Sequence, residues 1–176
     1  MRIMLAAAAV LACAGAAHAE VVRQDETSFQ LRNVAQAKAT PARAYAALGE
    51  IGRWWNGAHS YSGQAANLRL ELKPGGCFCE TLPDGGGVEH ARVVMAWPSQ
   101  GTVRLDGALG PLQQEGVAAA LTFEIKANGD RVEIVQTYAV GGARPGMAKA
   151  FAGPVDAVMR EALTRYARYL DTGKPE

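Results

Sequence analysis

From residue 67 onward the chain alternates between apolar and polar positions. In residues 67–73 (NLRLELK), Leu68, Leu70 and Leu72 share one face, and Arg69, Glu71 and Lys73 share the other. That is the period of a half-buried strand. Five more segments of the same kind follow: 77–82 (CFCETL), 88–97 (VEHARVVMAW), 102–109 (TVRLDGAL), 119–127 (AALTFEIKA) and 130–140 (DRVEIVQTYAV). Turn residues separate them: Pro74-Gly75-Gly76, the PDGGG run at 83–87, the loop 98–101 and Asn128-Gly129. Short connections of this kind make antiparallel neighbours. Residues 28–39 (SFQLRNVAQAKA) alternate more loosely, as one strand with an irregularity near Asn33. The period changes over 40–55 (TPARAYAALGEIGRWW). Thr40 suits a helix cap, Pro41 suits a first turn, and Ala44, Tyr45 and Leu48 fall at helical spacing, while Gly49 and Gly52 divide the stretch into two short helices. At the end, Phe151, Val155, Val158, Met159, Leu163, Tyr166 and Leu170 recur every three or four residues, with a kink or restart expected at Gly153-Pro154. One strand, two short helices, six strands and a long amphipathic helix predict an α+β fold. In it a curved seven-stranded antiparallel sheet wraps the C-terminal helix.

The first residues obey a different rule. Arg2 precedes an unbroken apolar run over residues 3–12, too short for a bilayer span, and Ala17-His18-Ala19 makes an A-x-A cleavage pattern before Glu20. Residues 1–19 therefore read as a secretory signal peptide, which predicts a periplasmic or secreted protein. The rival is lipidation at Cys13, since Val10-Leu11-Ala12-Cys13 loosely resembles a lipobox; the shortness of such a leader counts against it. The remaining organisation is a tail over 20–27, one domain over 28–171 and a C-terminal tail over 172–176. Arg2 is the only charge in the leader, so the 18 Lys and Arg become 17 in the mature chain, against 17 Asp and Glu. This balance, with no basic run, argues against nucleic acid or an anionic membrane surface as partner.

The order of elements, with TPARAYAAL leading to RWWNGAHSYSG and then LKPGGCFCE, resembles the helix-grip superfamily known as SRPBCC or START-like, which includes polyketide cyclases and Bet v 1-like proteins. The resemblance covers about residues 28–170. It implies a cavity between sheet and terminal helix for a small apolar or amphipathic molecule, without cofactor, and leaves open whether the protein binds or catalyses. Activators of a heat-shock ATPase belong to the same superfamily, but they need a cytosolic ATP-driven partner that an exported chain would not meet. The resemblance also implies that Phe78, and with it Glu80, points into the cavity.

If the 83–87 turn pairs Leu82 with Val88, Glu80 lies opposite His90 and Phe78 opposite Arg92, giving a polar end to an apolar cavity. A one-residue slip would reverse the faces, and an exposed surface ion pair is the plainer alternative. Trp54, Trp55, His59 and Tyr61 are further candidates from the RWWNGAHSYSG loop, one Trp serving the core and the other the cavity mouth or a partner surface. Gln136 and Tyr138 add polar groups to an apolar strand. The ligand-binding set is thus Trp54, Trp55, His59, Tyr61, Phe78, Glu80, His90, Arg92, Gln136 and Tyr138. The enzymatic alternative, of cyclase or hydrolase type, uses Glu80, His90 and His59 as acid–base groups.

Cys77 and Cys79 stand two apart, about 6.6 Å on a regular strand, whereas a disulfide wants Cβ atoms at roughly 3.5–4.5 Å. Free thiols and a bridge relieved by a local bulge both remain open. No metal is expected, because only His59 and His90 remain as additional imidazoles in the mature chain and no second cysteine pair exists to complete a site.

Overall fold

The six alternating segments build one wall of the molecule. The computed structural model describes residues 18–176. The strands are β1 (His18–Gln24), β2 (Phe29–Ala37), β3 (Leu68–Leu70), β4 (Cys77–Thr81), β5 (Gly87–Trp97), β6 (Thr102–Asp106), β7 (Ala118–Asn128) and β8 (Arg131–Gly141). They form one antiparallel sheet in the order β1-β2-β8-β7-β6-β5-β4-β3. With the helices α1 (Pro41–Leu48), α2 (Ile51–Trp54) and α3 (Met147–Thr172), this is the expected α+β helix-grip architecture. It carries eight strands instead of seven. The additional one is β1, where the sequence suggests a tail. It pairs with the edge of β2, and its register shifts between Val21 and Arg23. Apart from its last two residues, the expected leader over 1–19 lies outside the described residues, as does Cys13. Cleavage after Ala19 would leave Glu20–Gln24 paired to β2.

The local rules hold where capping decides them. Thr40 Oγ1 accepts the Arg43 N–H at 3.2 Å, and Pro41 occupies the first turn of α1. The chain leaves α2 at Trp55, whose φ/ψ of −62°/154° is extended. This change of direction sends Trp54 and Trp55 to different surroundings.

Two expectations fail for identifiable reasons. The irregularity near Asn33 is absent from the β2–β8 pairing, which runs without a break from Phe29–Val140 to Ala37–Val132. What interrupts the apolar pattern is a buried polar pair: Asn33 Nδ2 donates to Gln136 Oε1 at 3.2 Å, both side chains being 1% exposed. The helix also does not restart at Gly153-Pro154; α3 runs through Pro154 for 26 residues. Proline removes a donor to the carbonyl four residues earlier. Burial on both sides, at Met147, Ala148 and Ala152 and again at Met159, Leu163 and Tyr166, offsets that loss.

The core lies on the concave face. Phe29 and Leu31 of β2, Leu121, Phe123 and Ile125 of β7, and Ile134 and Tyr138 of β8 are almost wholly buried there. α3 lies chiefly over β2 and β1, while α1 approaches β7. Toward β3–β5 the sheet and the N-terminal half of α3 diverge, and a cavity opens between them.

Candidate functional site

The β4–β5 hairpin determines what faces that cavity. Its register is Glu80 opposite Val88 and Thr81 opposite Gly87, and Leu82 N–H bonds to the Gly86 carbonyl at 2.9 Å. The pairing is therefore two residues away from Leu82 opposite Val88. An even slip keeps every side chain on its face. A second feature then acts: between Phe78–Ala91 and Cys79–Glu89 the partner strand has one residue too many, a β-bulge at His90. His90 and Ala91, though consecutive, are both buried. Before the bulge, His90 is carried inward beside Glu80. After it, the alternation is inverted, so Arg92 falls on the outer face and pairs with Glu89 at 2.5 Å. Arg92 is thus no part of the cavity. Gly107 allows the β6–β7 connection to pass against the bulge, because a Cβ there would stand 2.6 Å from both Ala91 Cα and His90 O.

The cavity measures about 390 Å³, at the lower end of the ~300–1,000 Å³ range of small-molecule sites. Its sheet side carries Leu68, Phe78 and His90; Trp55 and the 58–61 loop form one lip, 109–111 the other, and Phe151, Val155, Val158 and Met159 of α3 the roof. Most of this wall is hydrocarbon. Trp55 meets Phe78 edge-on with ring centres 5.9 Å apart, Phe78 lies 4.9 Å from the His90 ring, and Tyr61, 51% exposed at the mouth, stacks over His90 at 5.9 Å.

The polar end is a carboxylate–imidazole pair. Glu80, 1% exposed, stands behind the wall. Its Oε2 accepts from Tyr61 N–H at 3.1 Å and lies 3.0 Å from His90 Nε2, and its Oε1 accepts the Ser62 N–H. Burial pushes the Glu80 carboxyl upward, but the Ser62, Tyr61 and His90 hydrogen bonds outweigh it and hold the group below the usual carboxylate range. Burial also lowers His90, against the opposing pull of Glu80. The favoured state is an ionised Glu80 and a neutral His90. Since the carboxylate can only accept, His90 Nε2 is the protonated nitrogen. Nδ1 has no hydrogen-bond partner among the described residues.

The other candidates separate. Trp54 is core: it is 1% exposed, donates its indole N–H to the Ala47 carbonyl at 2.9 Å and packs 4.9 Å from Tyr166. Trp55 lines the cavity and donates to the His59 carbonyl at 3.0 Å. His59 is at the rim, with Nε2 2.9 Å from Glu161 Oε2, while Asn56 Nδ2 holds the other Glu161 oxygen at 2.6 Å. Burial opposes the Glu161 charge, yet Asn56 and His59 hold its carboxyl below the usual range. Glu161 thereby clips the 56–59 loop to α3, a role its position on an outwardly polar helix does not announce. Gln136 is occupied with Asn33 and does not line the cavity. Tyr138 does not line it either: its OH accepts the Leu109 N–H at 2.9 Å and donates to the Gly107 carbonyl at 3.3 Å, fixing the 109–111 lip, and burial pushes its phenol up.

Cys77 and Cys79 sit on the opposite face of β4 and are joined as a disulfide, with Cα atoms 5.3 Å apart. This is shorter than a regular strand spacing, and the contraction coincides with the bulge across the ladder. With Glu89 the two sulfurs form a cluster whose ligand atoms lie within 4.8 Å. The bridge removes both thiolates that a metal would need.

No family model matches the chain, and no curated protein matches it. Among solved structures it is similar to a conserved protein of unknown function from Enterococcus faecalis (13% identity, TM-score 0.61, covering 86% of this chain and 76% of that one). It is similar also to CalU16 from Micromonospora echinospora (12%, TM-score 0.57, covering 92% and 86%) and to the Aha1 dimer from Colwellia psychrerythraea (16%, TM-score 0.56, covering 82% and 98%). At these identities the likeness is one of fold. Among the described residues no helix is long and apolar enough to cross a membrane.

Proposed function

We propose that the protein is an exported binding protein that holds one small apolar or amphipathic molecule between its sheet and α3. The observation that carries this reading is the cavity itself: walls of Trp55, Leu68, Phe78, Phe151 and Val158, open at one side and ended by a single buried polar pair. Such a site gains affinity from apolar burial and orientation from a few polar atoms. Export is supported by the leader over residues 1–19. It agrees with the Cys77–Cys79 bridge, which an oxidising compartment would preserve. Native mass spectrometry of protein purified from the periplasm is expected to reveal the chain beginning at Glu20 with a small molecule that is lost on denaturation. The bare mass in every charge state would count against a resident ligand.

One observation favours a second, enzymatic reading. Glu80 and His90 stand as orienting carboxylate and base do in general base catalysis, with the free imidazole nitrogen on a residue of the cavity wall. His59 does not complete this group, since its ring is engaged by Glu161 at the rim.

A further inference from the structure

We infer that the site selects ligands that donate a hydrogen bond, and that an aromatic alcohol of phenol type fits it best. The inference rests on the binding reading above and deepens it. Its basis is a chain of hydrogen bonds in which each member leaves its neighbour one choice. Glu80 is buried, ionised and already takes two backbone N–H groups, from Tyr61 and Ser62. A carboxylate so placed accepts from His90 and cannot donate to it. The neutral imidazole therefore carries its proton on Nε2, and Nδ1 is left as a lone pair. Of the other polar side chains of the lining, Ser60 Oγ donates to the Gly57 carbonyl at 2.8 Å, His59 Nε2 is held by Glu161 and the Trp55 indole N–H is taken by the His59 carbonyl, while the Tyr61 hydroxyl stands at the exposed mouth, away from the buried end.

A ligand reaching this end thus meets an acceptor backed by a negative charge. A hydroxyl or N–H satisfies it. A ketone or ether leaves it unpaired, and a carboxylate is repelled by Glu80 as well. The flanking surfaces add the second half of the specificity. Tyr61, Phe78 and Trp55 present ring faces and edges around His90, with Phe151 across the cavity. Such walls favour a flat ring over a flexible chain.

Naphthalene, 2-naphthol, 2-methoxynaphthalene and 2-naphthoate, titrated at neutral pH and followed by fluorescence, separate the two halves. Naphthalene reads the apolar cavity alone. 2-Naphthol is expected to bind about fivefold or more tighter than 2-methoxynaphthalene, the lower end of what a buried partner left unmade costs, and 2-naphthoate is expected to bind most weakly. In Glu80→Leu the acceptor that holds the ring proton on Nε2 is gone, so the preference for the alcohol is expected to shrink. In wild-type protein the imidazole 15N spectrum of His90 is expected to show the neutral Nε2–H form, a readout that does not depend on any variant folding. Naphthalene binding with no preference for 2-naphthol, an Nδ1–H tautomer, or an unchanged preference in folded Glu80→Leu would overturn this inference and leave the binding reading intact. Failure of all four probes to bind would overturn both.

Discussion

Trp54→Ala is expected to destabilise the fold by about 3–5 kcal/mol, the cost of truncating a fully buried tryptophan. The residue joins three helices. Its indole donates to Ala47 of α1, its ring packs on Tyr166 of α3, and its carbonyl accepts from Arg165 Nε at 3.0 Å. Tyr166 in turn donates its hydroxyl to the Ala44 carbonyl. Removing the ring therefore opens a void at the point where α1, α2 and α3 meet, and it leaves the Ala47 carbonyl without its indole donor. Trp55→Ala, one residue later, removes cavity wall and its largest expected effect is on ligand affinity. Urea denaturation of both variants checks the contrast. A loss below about 1 kcal/mol for Trp54→Ala would mean that Trp54 is not the core member of the pair.

The second large effect belongs to Glu80 and is tied to pH. Glu80→Leu strands three donors, from Tyr61, Ser62 and His90. At ~1–3 kcal/mol for a donor left buried and unpaired, which applies in full to His90 and only in part to the two part-buried backbone N–H groups that water can reach, the loss is on the order of 2–3 kcal/mol. In the wild-type protein both partners have folded-state pKa values below their ordinary values of 4.5 and 6.5. Each therefore binds its proton more weakly folded than unfolded, so each contributes stability that is complete above the ordinary value and is lost as pH falls toward the folded one. His90 acts first, below about pH 6.5, and Glu80 follows in the carboxylate range. Stability measured by urea denaturation between about pH 8 and about pH 5 should fall on acidification, and His90→Gln should flatten that decline. A decline equally steep in His90→Gln would assign it to other groups.

How much of this was legible in the sequence follows from which forces are local. Hydrophobic period and turn residues announce a strand regardless of context, so β3 to β8, the Thr40 cap and the apolar stripe of α3 could be read directly. β1 could not, since 20–24 carries no alternation of its own and becomes a strand by pairing with the open edge of β2. The site was legible in part. Glu80 and His90 meet, but through a bulge that has no sequence signature: His90 and Arg92 share a parity, and only the inserted residue sends one inward and the other out. Asn33 and Gln136 each look like an anomaly until the register pairs them. Val155, Val158 and Met159 were visible as an apolar helix face, yet whether such a face packs or lines a void depends on what stands opposite. The Gly110-Pro111 loop announces a turn without saying that it closes a cavity, and Glu161 looks like an ordinary solvated charge until Asn56 and His59 are found on it.

The claim on which the account depends is that a ligand occupies the space between sheet and α3, and filling that space tests it. Val158 is half-buried in the roof of the cavity, so a tryptophan there adds bulk to the lining. Calorimetric titration with 2-naphthol is expected to show one saturable site in the wild-type protein. In Val158→Trp, with its melting temperature preserved, affinity is expected to be at least about tenfold lower, as the loss of a buried ligand's contacts implies. Undiminished binding by the folded variant would place the ligand elsewhere and contradict the account.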